Sequence, residues 1–209
     1  SSLSGSWYGL ISGVGCTALK LGGFIKMIYV FLQEGFEEIE AMAPVDVLRR
    51  AGAEVATVGE GSRTVVSAHG VKIEADLAEA DVSAKDAEMV VLPGGPGTKN
   101  HEKSQVLRNM LAYCAEKGKY IAAICAAPSV LGHMGLLTGH SAVCYPGYES
   151  ELGASHILHD PVCVSGKIIT GRGPGVSIEF ALKLAEILYG PEKSQKIRKS
   201  MQCIRTSAG

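Results

Sequence analysis

The sequence predicts a doubly wound α/β domain, and three observations carry that expectation. From Met27 onward, short apolar runs of strand length alternate with longer amphipathic segments. The runs are apolar at consecutive positions, the pattern of strands covered on both faces of a parallel sheet. No linker and no internal repeat divides them, so one unit is the natural count.

Met27–Leu32 reads as the first buried strand and leads into a helix over Glu37–Ala51, with apolar Ile39, Met42, Ala43 and Val47 on one side and a stop at Gly52. Val55–Val58 is a second strand. Val65–Ser67 and Val71–Glu74, joined through His69 and Gly70, form a side hairpin. Met89–Leu92 is a third core strand, followed by the turn Pro93-Gly94-Gly95-Pro96-Gly97 and a helix near Gln105–Glu116. Tyr120–Ile124 is a fourth, running directly into Cys125 and a helix that stops near Gly132. Val162–Val164 and Lys167–Thr170 bracket Ser165-Gly166 as another hairpin. Gly171-Arg172-Gly173-Pro174-Gly175 then opens a helix over Val176–Leu188, and a last helix follows Pro191.

Composition narrows the function classes. Of the 209 residues, 46% are hydrophobic and 20% charged, enough to build a large core. The formal net charge is −1 and no Lys/Arg cluster stands out, which argues against a dedicated nucleic-acid surface. Six cysteines are scattered without a C-x-x-C pair. They read as free thiols in a reducing compartment, so the expected address is cytoplasmic. Residues 1–26 hold six Gly and five Ser, and their apolar positions are broken throughout. That pattern fits neither a membrane span nor a signal peptide. We read them as an extension of unknown origin, dispensable for folding, ahead of a domain over 27–203 and a tail over 204–209.

In an open parallel sheet the strand-to-helix junctions open on the carboxyl edge, where ligands bind. The junctions here are Glu34–Glu40, Pro93–Gly97, Cys125 and Gly171–Gly175, and they are expected to converge on one cleft. Cys125 lies at a sharp strand-to-helix turn before Pro128. A helix N-terminus offers free N–H groups and a positive dipole end, both of which favour thiolate, so Cys125 is expected to be the most acidic thiol of the chain. The glycines at Gly94 and Gly95 leave backbone amides free to join that of Ala126 in an oxyanion hole. Glu34, Glu37, Glu38 and Glu40 crowd the first junction, and helix-start preference explains most of them; residue chemistry does not choose which one reaches Cys125. His156, His159 and Cys163 have a spacing that a metal uses, but no further ligand completes a site, so no metal is expected. His133 reads as a packed helix residue rather than a base.

The motifs Gly35-Phe36-Glu37-Glu38-Ile39-Glu40, Pro44-Val45-Asp46-Val47-Leu48-Arg49-Arg50-Ala51-Gly52, Val91-Leu92-Pro93-Gly94-Gly95, Ala122-Ala123-Ile124-Cys125-Ala126-Ala127-Pro128 and Gly171-Arg172-Gly173-Pro174-Gly175 resemble the ThiJ/PfpI superfamily. Within it they are similar to the branch of Parkinson disease protein 7 and its bacterial relatives. The resemblance runs from about Met27 to Tyr189. It implies a flavodoxin-like fold of the class I glutamine amidotransferase type, a homodimer built partly from the first helix with Arg49 and Arg50, and a cysteine in a strained turn. It also implies a protonated Glu40 beside Cys125, an amide pocket at Gly95 and Ala126, and Arg172 at its rim. The activities implied are cofactor-free conversion of methylglyoxal to lactate, repair of glycated proteins and sensing of oxidants.

Two positions depart from related patterns. Protease-like and amidase-like branches carry His after the nucleophile, where this chain has Ala126. Many relatives place a His-Pro pair near the thiol, where this chain has Tyr145-Pro146. Peptide hydrolysis needs an acid for the amine leaving group, so these departures argue against a protease. A 2-oxoaldehyde asks for less, because a thiolate adds to it without expelling a group. The expectation is therefore a cofactor-free enzyme acting through Cys125 and Glu40 on a small reactive carbonyl or a glycated protein, with Gly94, Gly95, Ala126, Arg172 and Tyr145 around the substrate. The alternative is an oxidant sensor or redox-regulated chaperone working through oxidation of Cys125.

Overall fold

Side chains alternate across a strand, so a sheet buried on both faces needs apolar residues at consecutive positions and sorts them by parity into two layers. The strand runs of this chain do so. The computed structural model describes residues 25–204. In chain order it contains β1 (Met27–Leu32), α1 (Glu38–Arg50), β2 (Val55–Gly59), β3 (Thr64–Val66), β4 (Lys72–Glu74), β5 (Leu77–Ala78), β6 (Ala87–Leu92), α2 (Gln105–Lys117), β7 (Tyr120–Ile124), α3 (Pro128–His133), β8 (Ser141–Ala142), β9 (His156–Ile157), β10 (Val162–Ser165), β11 (Ile168–Gly171), α4 (Ser177–Tyr189) and α5 (Pro191–Ser200). Residues 1–24 of the expected 1–26 extension, and 205–209 of the expected 204–209 tail, lie outside the described residues.

Seven strands form one sheet in the order β10-β11-β7-β6-β1-β2-β5. Every pairing in it is parallel except that of β10 with β11. The inner order β2-β1-β6-β7-β11 is the flavodoxin-like arrangement, and its switch point lies between β1 and β6. From there the chain runs outward in opposite directions, which leaves a crevice beyond the carboxyl ends of these two strands.

Ile28, Val30 and Leu32 of β1, with Met89 and Val91 of β6, join Val47 and Leu48 of α1 and Phe180 and Leu184 of α4 in one core layer. Tyr29 and Phe31, with Val90 and Leu92, join Leu107 and Leu111 of α2 and Val130 and Leu131 of α3 in the other. Helix ends follow local chemistry. Ser104 caps α2 by accepting from the Leu107 amide at 3.0 Å, and Gly118 ends it in a left-handed conformation at φ 66°. No helix among the described residues is long and apolar enough to cross a membrane.

The structure refines the expected elements in three places. The side hairpin is β3–β4, in register Thr64↔Glu74, and the second hairpin is β10–β11, whose inner strand joins the main sheet. The two-residue strands β5, β8 and β9 carry too little alternation to be read from sequence. The β5 edge is tied by Asp76 instead, whose Oδ2 accepts from the Thr57 amide at 2.9 Å and from Arg49 Nη2 at 2.8 Å. Finally, α3 begins only at Pro128, so Cys125 precedes the helix rather than opening it.

Leu48 is fully buried where α1 meets α4. Leu48→Ala is expected to cost about 3 kcal/mol of unfolding free energy in a urea titration, the usual range for a large-to-small core change. A loss under about 1 kcal/mol would show that the α1–α4 layer closes over the gap.

Candidate active site

Cys125 is 7% exposed and holds φ at 67°, a left-handed conformation unfavourable for a side chain with a Cβ. Backbone bonds on both sides keep it there: its amide donates to Gly171 O at 2.9 Å and its carbonyl accepts from the Tyr145 amide at 2.8 Å. The turn after β6 lies directly against this residue. A Cβ added at Gly94 would come within 2.9 Å of Cys125 Cβ and of Ala126 N, and within 2.8 Å of Ile124 O. Gly94 is therefore required by close approach, and Gly95, at φ 99°, by backbone conformation.

Glu40 settles the choice among the four carboxylates of the first junction. It is fully buried on the first turn of α1, and its Oε2 accepts from the Gly94 amide at 2.8 Å. Its Oε1 has no N–H or O–H donor, and the Cys125 thiol is the side chain its carboxyl meets. Glu37 caps α1 through a long bond from the Ile39 amide at 3.5 Å. Glu38 turns to Ser67 and to the amide and ring of His69, at 2.6 and 2.8 Å for the latter two. Glu34 accepts from the Val66 amide at 3.2 Å. Only Glu40 reaches the thiol.

Burial raises the Glu40 carboxyl to about 7, with Glu37 adding to the rise and hydrogen bonds from Cys125 and Gly94 opposing it. Burial also pushes the Cys125 thiol up, as do the charge and hydrogen bond of Glu40, while the amides of Gly95 and Ala126 pull it down. The expectation of the most acidic thiol in the chain is thus corrected. Burial drives Cys114 and Cys144 to about 11 each, and Cys125 is pushed further. Local amides alone do not set the titration, because a carboxyl in contact with the sulfur competes for the same proton. Such a pair holds two protons below about 7 and shares one between two acceptors above it. Two amides aimed at the sulfur and a carboxyl titrating near neutrality can stabilise developing negative charge and move a proton.

The other expected residues surround this centre unevenly. Tyr145 follows Cys125 through its backbone bond, stands 47% exposed, and with Pro146, Arg172, Pro174 and Val176 lines a pocket of about 240 Å³. Arg172 is fixed by its Nη1 donating to His159 O at 3.0 Å. His156, His159 and Cys163 are not brought together. Among the described residues, the group with ligand atoms close enough to hold a metal ion is Glu37, Glu38 and His69, which sequence spacing did not single out. His133 is not packed in the core but bridges Glu102 and Glu151 at the surface.

Sequence reading also missed a buried group under the β6 turn. His101 is wholly buried, with Nε2 2.9 Å from Pro93 O and Nδ1 2.6 Å from Glu60 Oε2. The second contact is an ion pair rather than an aligned hydrogen bond. Buried Gln33 donates its Nε2 to Pro93 O at 3.1 Å and to Gly94 O at 3.2 Å. No local pattern marks these residues, because each comes from a different element.

Residues 26–187 match the model of the DJ-1/PfpI family. The chain is 40% identical to protein dj-1beta of Drosophila melanogaster over 84% of this chain and 96% of that protein. It is 36% identical to the glutathione-independent glyoxalase DJR-1.2 of Caenorhabditis elegans over 80% and 91% respectively. Among solved structures, Drosophila melanogaster DJ-1beta superposes with a TM-score of 0.82 at 38% identity, covering 86% of this chain and 98% of that one. Oxidized Toxoplasma gondii DJ-1 superposes at 0.78 and 40% identity, covering 84% and 97%.

A carboxyl raised from 4.5 to about 7 binds its proton more tightly folded than unfolded. Its contribution to stability is complete below pH 4.5 and is lost as pH rises through 7. Relative to Glu40→Gln, the wild type is expected to lose about 3 kcal/mol of unfolding free energy between pH 4.5 and 8. Urea titrations of both proteins across that range measure it. A constant difference would show that folding leaves the Glu40 pKa at its ordinary value.

Proposed function

The chain belongs to the DJ-1/PfpI family, and from that premise we propose that it is a cofactor-free, cysteine-dependent enzyme acting on 2-oxoaldehydes or their protein adducts. The observation that carries the proposal is the Glu40 carboxyl, raised to about 7 against the Cys125 thiol. A base titrating near the working pH is the most effective one, and the cleft has no histidine in that place. The relative described as a glutathione-independent glyoxalase supports the same chemistry.

With methylglyoxal, Glu40 takes the thiol proton as sulfur adds to the aldehyde carbon and passes it to the aldehyde oxygen, giving a hemithioacetal and leaving Glu40 ionised again. The amides of Gly95 and Ala126 stabilise the charge that develops on sulfur and oxygen. Glu40 then removes the proton from the aldehyde carbon and delivers it to the ketone oxygen, giving an enediol. Glu40 takes the hydroxyl proton of the sulfur-bearing carbon and returns it to the neighbouring carbon, which turns the enediol into a lactoyl thioester. The aldehyde carbon is oxidised and the ketone carbon reduced within one molecule, so no external electron acceptor is needed. Water then releases lactate and restores the thiol. Tyr145 and Arg172 line an open pocket next to the Cys125 turn, and in this reading it receives the small aldehyde or the side-chain adduct on a protein.

We place the active form as a homodimer in a reducing, cytoplasmic compartment. Ile39, 55% exposed at the start of α1, supplies an apolar surface for a second copy. Arg49 and Arg50 are engaged within the chain, by Asp76 and Asp46. The five described cysteines are free thiols. A clean monomer mass by light scattering at micromolar concentration would remove the dimer. A second reading is favoured by the same amides and carboxyl, which would hydrogen-bond the oxygens of a Cys125 sulfinate in an oxidant sensor.

Purified protein given methylglyoxal without metal, glutathione or nucleotide is expected to form lactate. Cys125→Ala should abolish it, and Glu40→Gln should reduce it ~10²-fold or more. A wild type that forms no lactate while Cys125 oxidises cleanly to sulfinate would transfer the assignment to the sensor.

A further inference from the structure

The amides that face Glu40 and Cys125 belong to peptide units whose carbonyls point the other way. A trans peptide is planar, so its C=O and N–H are opposed, and fixing one fixes the other. None of the peptide bonds described is cis. The Gly94 amide, which donates to Glu40 Oε2 at 2.8 Å, shares its plane with the Pro93 carbonyl. That carbonyl accepts from His101 Nε2 at 2.9 Å and from Gln33 Nε2 at 3.1 Å. The Gly95 amide, which acts on the Cys125 sulfur, shares its plane with the Gly94 carbonyl. That carbonyl accepts from Gln33 Nε2 at 3.2 Å and from the Glu37 amide at 3.0 Å.

We propose that His101, held by Glu60, and Gln33 are positioning residues that clamp the Pro93 and Gly94 carbonyls so that the Gly94 and Gly95 amides face Glu40 and Cys125. The assignment rests on the reading of Glu40 and Cys125 as the reacting pair, and is independent of the carbonyl substrate. A carbonyl oxygen only accepts, so Nε2 of His101 carries a hydrogen. Nδ1 then faces the Glu60 carboxylate at 2.6 Å, and both side chains are shielded, His101 at 0% and Glu60 at 6% exposure. Burial is the largest single influence and lowers the His101 pKa, but Glu60, Pro93 O and Glu102 together outweigh it and raise it. A protonated ring makes a charge-assisted bond to Pro93 O, stronger than a neutral donor would. With both acceptors of the turn held from below, rotating either peptide would break bonds to buried donors, a costly loss in a dry interior. The turn is therefore set before any ligand arrives.

The test is the pH profile of Cys125 alkylation by iodoacetamide, followed by peptide mass spectrometry. Its midpoint reports the proton shared by Glu40 and Cys125, and the wild-type value is the reference for each variant. Charges facing that pair from neighbouring elements include Glu37, which each variant retains. His101→Leu removes the donor, frees the Gly94 amide and is expected to move the midpoint up by about one pH unit. His101→Gln keeps an N–H at a similar reach and should restore most of the shift, which a merely structural role would not produce. Gln33→Leu removes no charge and is expected to shift the midpoint in the same direction. It decides the question where His101→Leu leaves Glu60 unpaired and fails to fold. Folded His101→Leu or Gln33→Leu protein with the wild-type midpoint would overturn the assignment. A wild type that forms no lactate, yet shows these shifts, would overturn the reaction and leave the clamp standing.

Discussion

The contact between two turns, Pro93–Gly95 after β6 and Ile124–Ala126 after β7, is the constraint on which the cleft depends. It leaves no room for a side chain at Gly94, where a Cβ would sit 2.9 Å from Cys125 Cβ. It also holds Cys125 in a left-handed conformation that its own Cβ disfavours, at φ 67°. The backbone partners at Gly171 and Tyr145 over-determine that conformation, so strain at one residue is borne by the sheet edge around it. Every group with a chemical role in the cleft is placed by reference to this contact.

Electrostatics follow from the same closeness. Glu40 is buried because α1 lies across the crevice at the switch point, and a carboxyl there loses the water that would keep it ionised. The Gly94 amide and the thiol return part of that loss, which leaves the group near 7 rather than far above it. A carboxyl is thereby brought into the range in which histidine ordinarily works. This accounts for a cleft that has Ala126 and Tyr145 where related patterns carry histidine. The arrangement has a cost: burial and then the Glu40 carboxyl push the thiol up, so the proposed reaction depends on a transfer of the shared proton rather than on a standing thiolate.

The wider fold supplies rigidity. Parity along β1 and β6 divides the core between α1 with α4 and α2 with α3. The carboxyl ends of those strands therefore cannot shift without repacking both layers. Below the β6 turn, Gln33, His101 and Glu60 fill the space that a loop would otherwise leave to water. The Gly94 and Gly95 amides at this edge share their peptide planes with carbonyls bonded on the far side by Gln33 and His101.

Local chemistry by itself determined the longer strands and helices and the position of Cys125 at a strand end. The apolar runs, Gly52 as a stop and the Cys125–Pro128 junction are signals carried within a few residues, so β1 and β7 are found at the positions their runs define. The carboxyl edge followed from alternation alone. Glu34, Glu37, Glu38 and Glu40 share one stretch and one local preference, and sequence pattern had no means to rank them. Family resemblance pointed to Glu40, and only the packing of α1 over the β6 turn turns that carboxyl, and no other, to the thiol. The helix-start argument for an acidic Cys125 failed because it counted nearby amides and not burial or a distant carboxyl. His101 and Glu60 met no sequence signal, since a buried ion pair between separate elements leaves no period in the chain. Periodicity records what a residue does to its neighbours along the backbone, whereas a titrating pair is defined by distance and dielectric, which exist only once the sheet has closed.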